Sequence, residues 1–305
     1  YIYVKYGGHD KMKHLKKIVI GLLILLVTIP LIGFGALYYK LNSMYDKEEA
    51  NQIGKVEKVD GITNILLVGV DGENVDRGNR SDAMMVLTID SDNNDIRLTS
   101  LARDTYVDIP GYSTEKLTHA YAYNGPSLLL ETIKNNFGIN IDKYVSVSFS
   151  SFISIIDELG GVQIDVTDKE VSEIPGVNEA GNQTLTGEQA LSYSRIRYID
   201  SAYQRDSRQR TVLQAVYNKL ATIPKTEFLD IANNLLRYTK TNMTPMEIIS
   251  ISNQALKTGD KAFDELEFPL EGHRTGHTIS NEKGWVIEWE KEYNKNAIYK
   301  FIFDY

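Results

Sequence analysis

Residues 18–39 read IVIGLLILLVTIPLIGFGALYY, 22 consecutive positions without a charged side chain. A helix rises 1.5 Å per residue, so this run reaches about 33 Å, enough for a hydrocarbon core of about 30 Å. Pro30 does not disqualify it, because membrane helices tolerate proline. Five lysines precede it (Lys5, Lys11, Lys13, Lys16 and Lys17) against Asp10, and Tyr38 and Tyr39 close it as an interfacial belt would. That asymmetry predicts a cytoplasmic basic tail, 1–17, and places residues 40–305 outside the cell membrane. A cleaved signal peptide, cut after Gly33 and Gly35, is the rival reading. Its apolar region would run only about 7–15 residues, so an uncleaved single-pass signal-anchor is expected. Met12 is read as the natural start, and residues 1–11 carry no fold argument.

Composition narrows the rest. A chain of 305 residues buries one sizeable core, and the absence of cysteine removes disulfides, thiolate zinc sites, iron–sulfur clusters and cysteine nucleophiles. Against a net charge of −8, residues 1–17 carry +4 and residues 18–39 none, which leaves −12 for residues 40–305. Such a surface argues against nucleic-acid binding. Within it the arginines cluster: of eleven, four lie between Arg77 and Arg103 and five between Arg195 and Arg210. Two dense arginine windows in an acidic protein suit a focused anion site.

The polar stretch 40–61 reads as a juxtamembrane stalk whose charges are a solvated face. Short apolar runs then alternate with helical spacing. Thr63–Val70, Met84–Ile89, Ile96–Leu101, Tyr144–Phe149 and Val162–Val166 read as strands. Ser127–Phe137, Phe152–Leu159, Gly187–Tyr193, Gln209–Ile223, Phe228–Tyr238 and Met246–Leu256 read as helices. The fold class is therefore α/β, a mixed, mostly buried β-sheet flanked by helices on both faces. Residues 62–223 form its core and 224–305 a helical and mixed portion that completes the external domain.

Phosphate-loop, dinucleotide and hydrolase-elbow motifs are absent. His9, His14, His119, His273 and His277 lack metal-ligand spacing and read as exposed loop residues. What remains sits at strand ends. Asp71 follows the first strand, Arg80-Ser81-Asp82 precedes the second and Arg103-Asp104 follows the third, so these groups converge on one rim. Asp71 and Asp82 suit a hard cation, since magnesium takes one or two carboxylates plus phosphates and water. Arg80, Arg103, Arg195, Arg197, Arg205 and Arg208 suit phosphate oxygens. Arg195 and Arg197 alternate as strand residues do, and Arg205 and Arg208 share a helix face. Surface salt bridging explains any one pair of these charges, but it explains six clustered arginines less well. Arg77, in a glycine-flanked loop, is expected to be silent when replaced.

The segments Asn64–Asp71, Arg80-Ser81-Asp82, Ser100–Asp104, Lys116–Tyr121, Gly125-Pro126, Leu159–Val162, Leu185–Leu191, Ser194–Arg197 and Tyr203–Gln209 occur in a characteristic order. In that order the chain resembles the LytR–CpsA–Psr family of cell-envelope glycopolymer ligases, from Asn64 to about Leu213. The resemblance implies a phosphotransferase that moves a glycopolymer, a teichoic acid or capsule, from a polyprenyl-pyrophosphate carrier to a peptidoglycan sugar hydroxyl. It matches Asp71 and Asp82 to a magnesium (or manganese) site. It matches Arg80, Arg103, Arg195, Arg197 and Arg208 to pyrophosphate-binding arginines, with Lys116, Arg205 and Gln209 nearby. Arg80, Asp82, Arg103 and Asp104 are the expected catalytic set, and Asp82 and Asp104 the candidate general bases. The implied partners are the carrier-linked polymer, peptidoglycan and the cytoplasmic membrane of a Gram-positive-type envelope. Ala102, Glu73 and Ala202 depart from the family pattern, where proline, arginine and aspartate are usual. A polyprenyl-pyrophosphate-binding regulator, or a pyrophosphatase using water, stays open as an alternative. The two aspartates favour an enzyme, because arginines alone would bind phosphate.

Overall fold

The computed structural model describes residues 41–303, without 55, 58, 198, 200, 201, 224–238, 256, 258–262, 281 and 282, together with 35, 38 and 39. The basic tail, nearly all of the apolar run 18–39 and the expected helix Phe228–Tyr238 lie outside the described residues. Among the described residues, no helix is long and apolar enough to cross a membrane.

The chain enters through α1 (Lys47–Gln52), whose first turn is capped by the Asp46 carboxylate accepting from Glu49 N–H at 3.1 Å. Three antiparallel strands follow, β1 (Ile62–Asp71), β2 (Arg80–Asp90) and β3 (Asp95–Leu101). The Asp90 carboxylate collects Asp92 N–H, Asn93 N–H and the Asn93 side chain, which shapes the turn into β3. A small hairpin, β4 (Tyr106–Asp108) and β5 (Thr114–Lys116), leads into α2 (Leu117–Phe137), and then come β6 (Tyr144–Ser148) and α3 (Phe149–Glu158). A second hairpin, β7 (Val162–Val166) and β8 (Gly181–Leu185), encloses α4 (Asp168–Val171) and precedes α5 (Gly187–Arg195) and α6 (Ala202–Thr222). The chain ends through β9 (Thr239–Thr241), α7 (Pro245–Ala255), β10 (Asp264–Phe268), the hairpin β11 (Arg274–Ser280) and β12 (Gly284–Trp289), and α8 (Lys291–Phe303).

Six strands form one mixed sheet in the order β10-β3-β2-β1-β6-β9. The β1–β6 and β3–β10 pairs are parallel and the others antiparallel. This is the expected mixed sheet flanked by helices. Strand alternation sends Leu66, Val68 and Val70 of β1, with Met84 and Val86 of β2, to one face, where α2 and α8 cover them. There the rings of Phe137, Phe268 and Trp289 meet at 4.6–5.5 Å between centroids. Each such side chain contributes about 1.5–3 kcal/mol on burial. The opposite face, with Leu67 and Met85, turns toward α3, α5 and α6.

Several expected boundaries move. The second strand begins at Arg80 rather than Met84, so Arg80-Ser81-Asp82 lies within it. Helical geometry in α2 begins at Leu117, ten residues before Ser127, and is interrupted at Asn124 and Gly125. Gly125 sits at φ 69°, where a side chain would be strained. Arg195 ends a helix and Arg197 lies beyond it, so the strand alternation expected for that pair is not formed. Its sequence spacing was compatible with either state. The charges of 40–61 are not simply solvated either. Glu49 is 5% exposed; it accepts from Arg77 Nη2 at 2.8 Å and from Ser127 N–H at 3.2 Å. Arg77 is thus a clasp on a buried carboxylate, a structural role that its glycine-flanked loop did not signal.

Candidate active site

The rim of the site is built by an irregularity between β1 and β2. Gly69 pairs with Ala83 and Val70 with Ser81, which leaves Asp82 as an extra residue in β2. Such a bulge re-aims the side chains around it. By alternation Asp82 would follow Met84 and Val86 into the filled face; it instead lines a pocket with Ala83 and Met85. Ser81 turns the other way, where its carbonyl oxygen accepts from the Thr118 hydroxyl at 2.9 Å. Gly69 keeps the strands close opposite: a Cβ there would stand 3.0 Å from the Ala83 Cβ.

Asp82 anchors a chain of ion pairs. Arg103 Nη1 donates to Asp82 Oδ1 at 2.5 Å, and Arg103 Nε donates to Asp104 Oδ2 at 3.4 Å. Lys116 Nζ lies 3.3 Å from Asp104 Oδ1. Burial opposes the Arg103 charge, yet Asp82 and Asp104 together hold its guanidinium above the ordinary arginine range. The backbone carrying Arg103 is fixed on both sides: Ala102 N–H donates to the Phe268 carbonyl oxygen at 2.9 Å, and Thr118 N–H to the Arg103 carbonyl oxygen at 3.0 Å. The first of these bonds is one that a proline at 102 would lack.

Beyond the rim a cavity of about 290 Å³ opens between the sheet and α3, α5 and α6. Its walls are apolar, with Val145, Val147, Phe149, Phe152, Val212 and Val216 among them, and Asp82, Arg195, Arg197, Arg205 and Gln209 add the charged and amide groups. The helices are seated closely on that side. Thr186 caps α5 in a reciprocal box with Gln189, and a Cβ on Gly187 would lie 2.3 Å from the Ile153 carbonyl oxygen of α3. At the other end of α5 the Arg195 guanidinium lies 4.7 Å from the centre of the Phe149 ring. Arg205 donates through Nε and Nη2 to Asp206 Oδ1 at 3.1 and 2.8 Å. Burial pushes the Asp206 carboxyl above its usual range, against the pull of Arg205, Arg210 and Arg103.

The structure therefore brings Asp82, Arg195, Arg197, Arg205 and Gln209 to one cavity and ties Arg103, Asp104 and Lys116 to its rim. Asp71 and Arg80 are exposed partners across the β1–β2 ladder beside them. Arg208 is handled differently. It is 5% exposed, and its Nε donates to the 6%-exposed Glu170 at 2.6 Å, away from the cavity lining. His119 is not a loop residue: it lies on α2 with Nδ1 3.4 Å from Glu115 Oε2. Burial holds it below the usual histidine range despite Glu115, with Arg80 and Lys116 adding to the effect. His273 stacks on Tyr293 and His277 lies on β11. The cavity walls had no signal of their own in the sequence, and Asp206 stood there only as part of the Tyr203–Gln209 segment. The apolar residues of α3 and α6 carried a helical signal, but nothing in it distinguished a cavity wall from a packed core.

A metal ion can be tested against the donor set. Asp71 ends β1 opposite Arg80, and Asp82 follows two positions along β2, so both carboxylates belong to one rim. Among the described residues, no group of three or more histidines, aspartates and glutamates could hold a metal by itself. Two carboxylates without a protein cage fit magnesium, which completes its octahedron with phosphate oxygens and water.

A rim of carboxylates and guanidinium groups at an apolar cavity has the chemistry to suit an amphiphile with an anionic head. The chain belongs to the LytR_cpsA_psr family, whose model matches residues 33–296. It is 34% identical over 271 residues to a polyisoprenyl-teichoic acid–peptidoglycan teichoic acid transferase TagU of Enterococcus faecalis, covering 85% of this chain and 82% of that relative. A protein of the same name from Bacillus cereus is 29% identical over 283 residues, 87% of this chain and 92% of the relative. Among solved structures, TagT bound to LI-WTA superposes with a TM-score of 0.68 at 26% identity, covering 82% of this chain and 94% of the other. B. subtilis TagV gives 0.66 at 26% identity, with 81% and 99% covered.

Proposed function

We propose that this chain is a phosphotransferase that moves a teichoic acid from a polyprenyl-pyrophosphate carrier to a peptidoglycan sugar hydroxyl. The observation that carries this reading is the cavity itself, apolar in its walls and lined with Arg195, Arg197, Arg205 and Asp82. An isoprenoid chain suits the walls and a pyrophosphate suits the guanidinium groups. The names of the related transferases support the same donor and acceptor. In the transfer, the acceptor oxygen bonds to the phosphorus nearest the polymer, and the bond from that phosphorus to the bridging oxygen breaks. The electron pair leaves with the polyprenyl phosphate, and the hydroxyl proton passes to a base. Arg103, held in place by Asp82 and Asp104, faces the growing charge without reorganising. Magnesium held by Asp71 and Asp82 would supply further charge neutralisation. The apolar run 18–39 would anchor the domain to the outer face of the cytoplasmic membrane, close to both substrates.

The test is transfer by the full-length chain in detergent, using labelled polyprenyl-pyrophosphate saccharide, peptidoglycan fragments and magnesium. Product is expected to be magnesium-dependent and lost in Asp71→Ala and Asp82→Ala. Arg103→Ala should lower turnover by roughly a hundred- to a thousand-fold, and Arg103→Lys should restore it only in part, because a point charge loses the paired geometry. Full activity of Arg103→Lys, or of both aspartate variants in excess chelator, would overturn the assignment. Protease added to wall-stripped cells tests the orientation; complete protection of the C-terminal domain would reverse it.

A further inference from the structure

We propose that Tyr112 and Tyr123 form a sugar-stacking ledge that binds the acceptor glycan on the side of the rim opposite the apolar cavity. The proposal rests on the transferase reading above and assigns the acceptor a place in it. Tyr112, in the turn between β4 and β5, is 52% exposed, and Tyr123, on the first part of α2, is 39% exposed. Their rings stack at 4.4 Å between centroids with 17° between planes. Two large aromatic side chains thus hold each other in a fixed plane while remaining open to solvent.

Polar groups of both hydrogen-bonding senses surround the pair. The His119 ring centre is 5.9 Å from that of Tyr123, and Glu115 lies 3.4 Å from His119 and 3.3 Å from Lys283 Nζ. Lys283 also donates to the Tyr106 hydroxyl at 3.2 Å and to the Thr114 carbonyl oxygen at 2.8 Å, which fixes its position over the β4–β5 hairpin. A pyranose presents an apolar face of C–H groups and a rim of hydroxyls, and this arrangement offers a partner to each. The ionic groups of the ledge pair with one another, so it suits a neutral sugar better than a polyanionic polymer. That argument assigns it to the peptidoglycan acceptor and not to the teichoic acid donor.

The ledge is continuous with the catalytic rim. A Cβ on Gly284, next to Lys283, would stand 3.8 Å from Lys116 Nζ, and Lys116 is paired with Asp104. His119 feels the charges of both Arg80 and Lys116. The cavity lies against the sheet face of Ala83 and Met85, whereas α2 covers the face of Met84 and Val86. Donor and acceptor would therefore approach Arg103 from opposite faces of the sheet.

The experiment titrates a β-1,4-linked N-acetylglucosamine–N-acetylmuramic acid tetrasaccharide, its lactyl carboxyls blocked as amides and so neutral, onto the full chain in detergent by calorimetry, then measures transfer to the same sugar. The double variant Tyr112→Ala/Tyr123→Ala should bind at least tenfold more weakly. Its KM for the acceptor should rise by a similar factor, while its KM for the carrier-linked donor shifts less than twofold. Tyr112→Phe should retain binding, and Tyr293→Ala, an exposed tyrosine elsewhere, should behave as the unaltered chain. The single variant Tyr112→Ala, altered at the more exposed ring, answers the question should the double variant fail to fold. No binding by the unaltered chain, equal binding by the variants, or a rise in donor KM instead would overturn the ledge. Tyrosine-dependent binding without transfer would leave the ledge standing and remove the transferase reading. Transfer with unchanged acceptor KM in the variants would do the reverse.

Discussion

On one face of the central sheet, Phe137, Phe268 and Trp289 interlock beneath α2 and α8 and fill the space above Leu66, Val68 and Met84. On the other, α3, α5 and α6 stand away from Leu67, Ala83 and Met85 and leave about 290 Å³ open. The strands offer apolar side chains to both sides, so strand chemistry does not explain the difference. What covers each face does. Bulky rings from the C-terminal portion close one side, while the other is roofed by helices with arginines at its edge. Close packing is concentrated on the filled face, and the open one keeps a cavity edged with arginines.

Substitution on each face should separate the two. Leu129→Ala, at a fully buried α2 position, should cost about 2–5 kcal/mol by cavity formation. Val147→Phe on the open face should leave the urea midpoint nearly unchanged and raise the donor KM by about tenfold, a loss of about 1.4 kcal/mol of binding. A donor KM that follows Leu129→Ala and ignores Val147→Phe would break the comparison.

Glu170 and Arg208 form a buried pair whose effect on stability can be measured apart from transfer. Burial opposes the Glu170 charge, but Arg208 and Thr167 bring its carboxyl below the ordinary value of 4.5. A depressed carboxylate stabilises the fold fully above that value and loses the contribution as pH falls through the lower folded one. Glu170→Gln should therefore cost about 3 kcal/mol at neutral pH and remove this part of the acid dependence. Acid-unfolding curves that keep the same slope in the variant would show that the pair contributes nothing.

A smaller stability effect than at Glu170 is expected at Arg77, whose side chain is half exposed. Arg77→Ala leaves Glu49 buried with the Ser127 N–H still bonded, so a cost of about 1–2 kcal/mol is expected, with transfer retained. An unchanged urea midpoint would restore the solvated reading of the 40–61 charges.

Much of the scaffold could be read in advance because apolar periodicity is local. The strands at Thr63, Met84, Ile96 and Val162 appear where their runs stand, and so does the helix after Met246. Boundaries moved where the deciding contact was distant. Helical geometry starts at Leu117 because Leu117 N–H and Thr118 N–H donate to the carbonyl oxygens of Thr105 and Arg103, partners more than ten residues away. The site followed the same division. Arginine and aspartate at strand ends were the candidates for an anion site, and the structure brings most of those residues to one rim.

Sequence alone determined the strand and helix segments, the order of the family's motifs and the residue types able to meet a phosphate. Tertiary structure decided which of them line the cavity. Arg205 and Arg208 are three residues apart on one helix, yet one lines the cavity and the other is bound to Glu170, 38 residues away. A single unpaired position in the β1–β2 ladder turned Asp82 from the filled face to the open one. Periodicity reports on which side a residue lies relative to its neighbours in the chain. The partner across the gap, and whether the gap is filled, depend on segments that meet only when the fold closes.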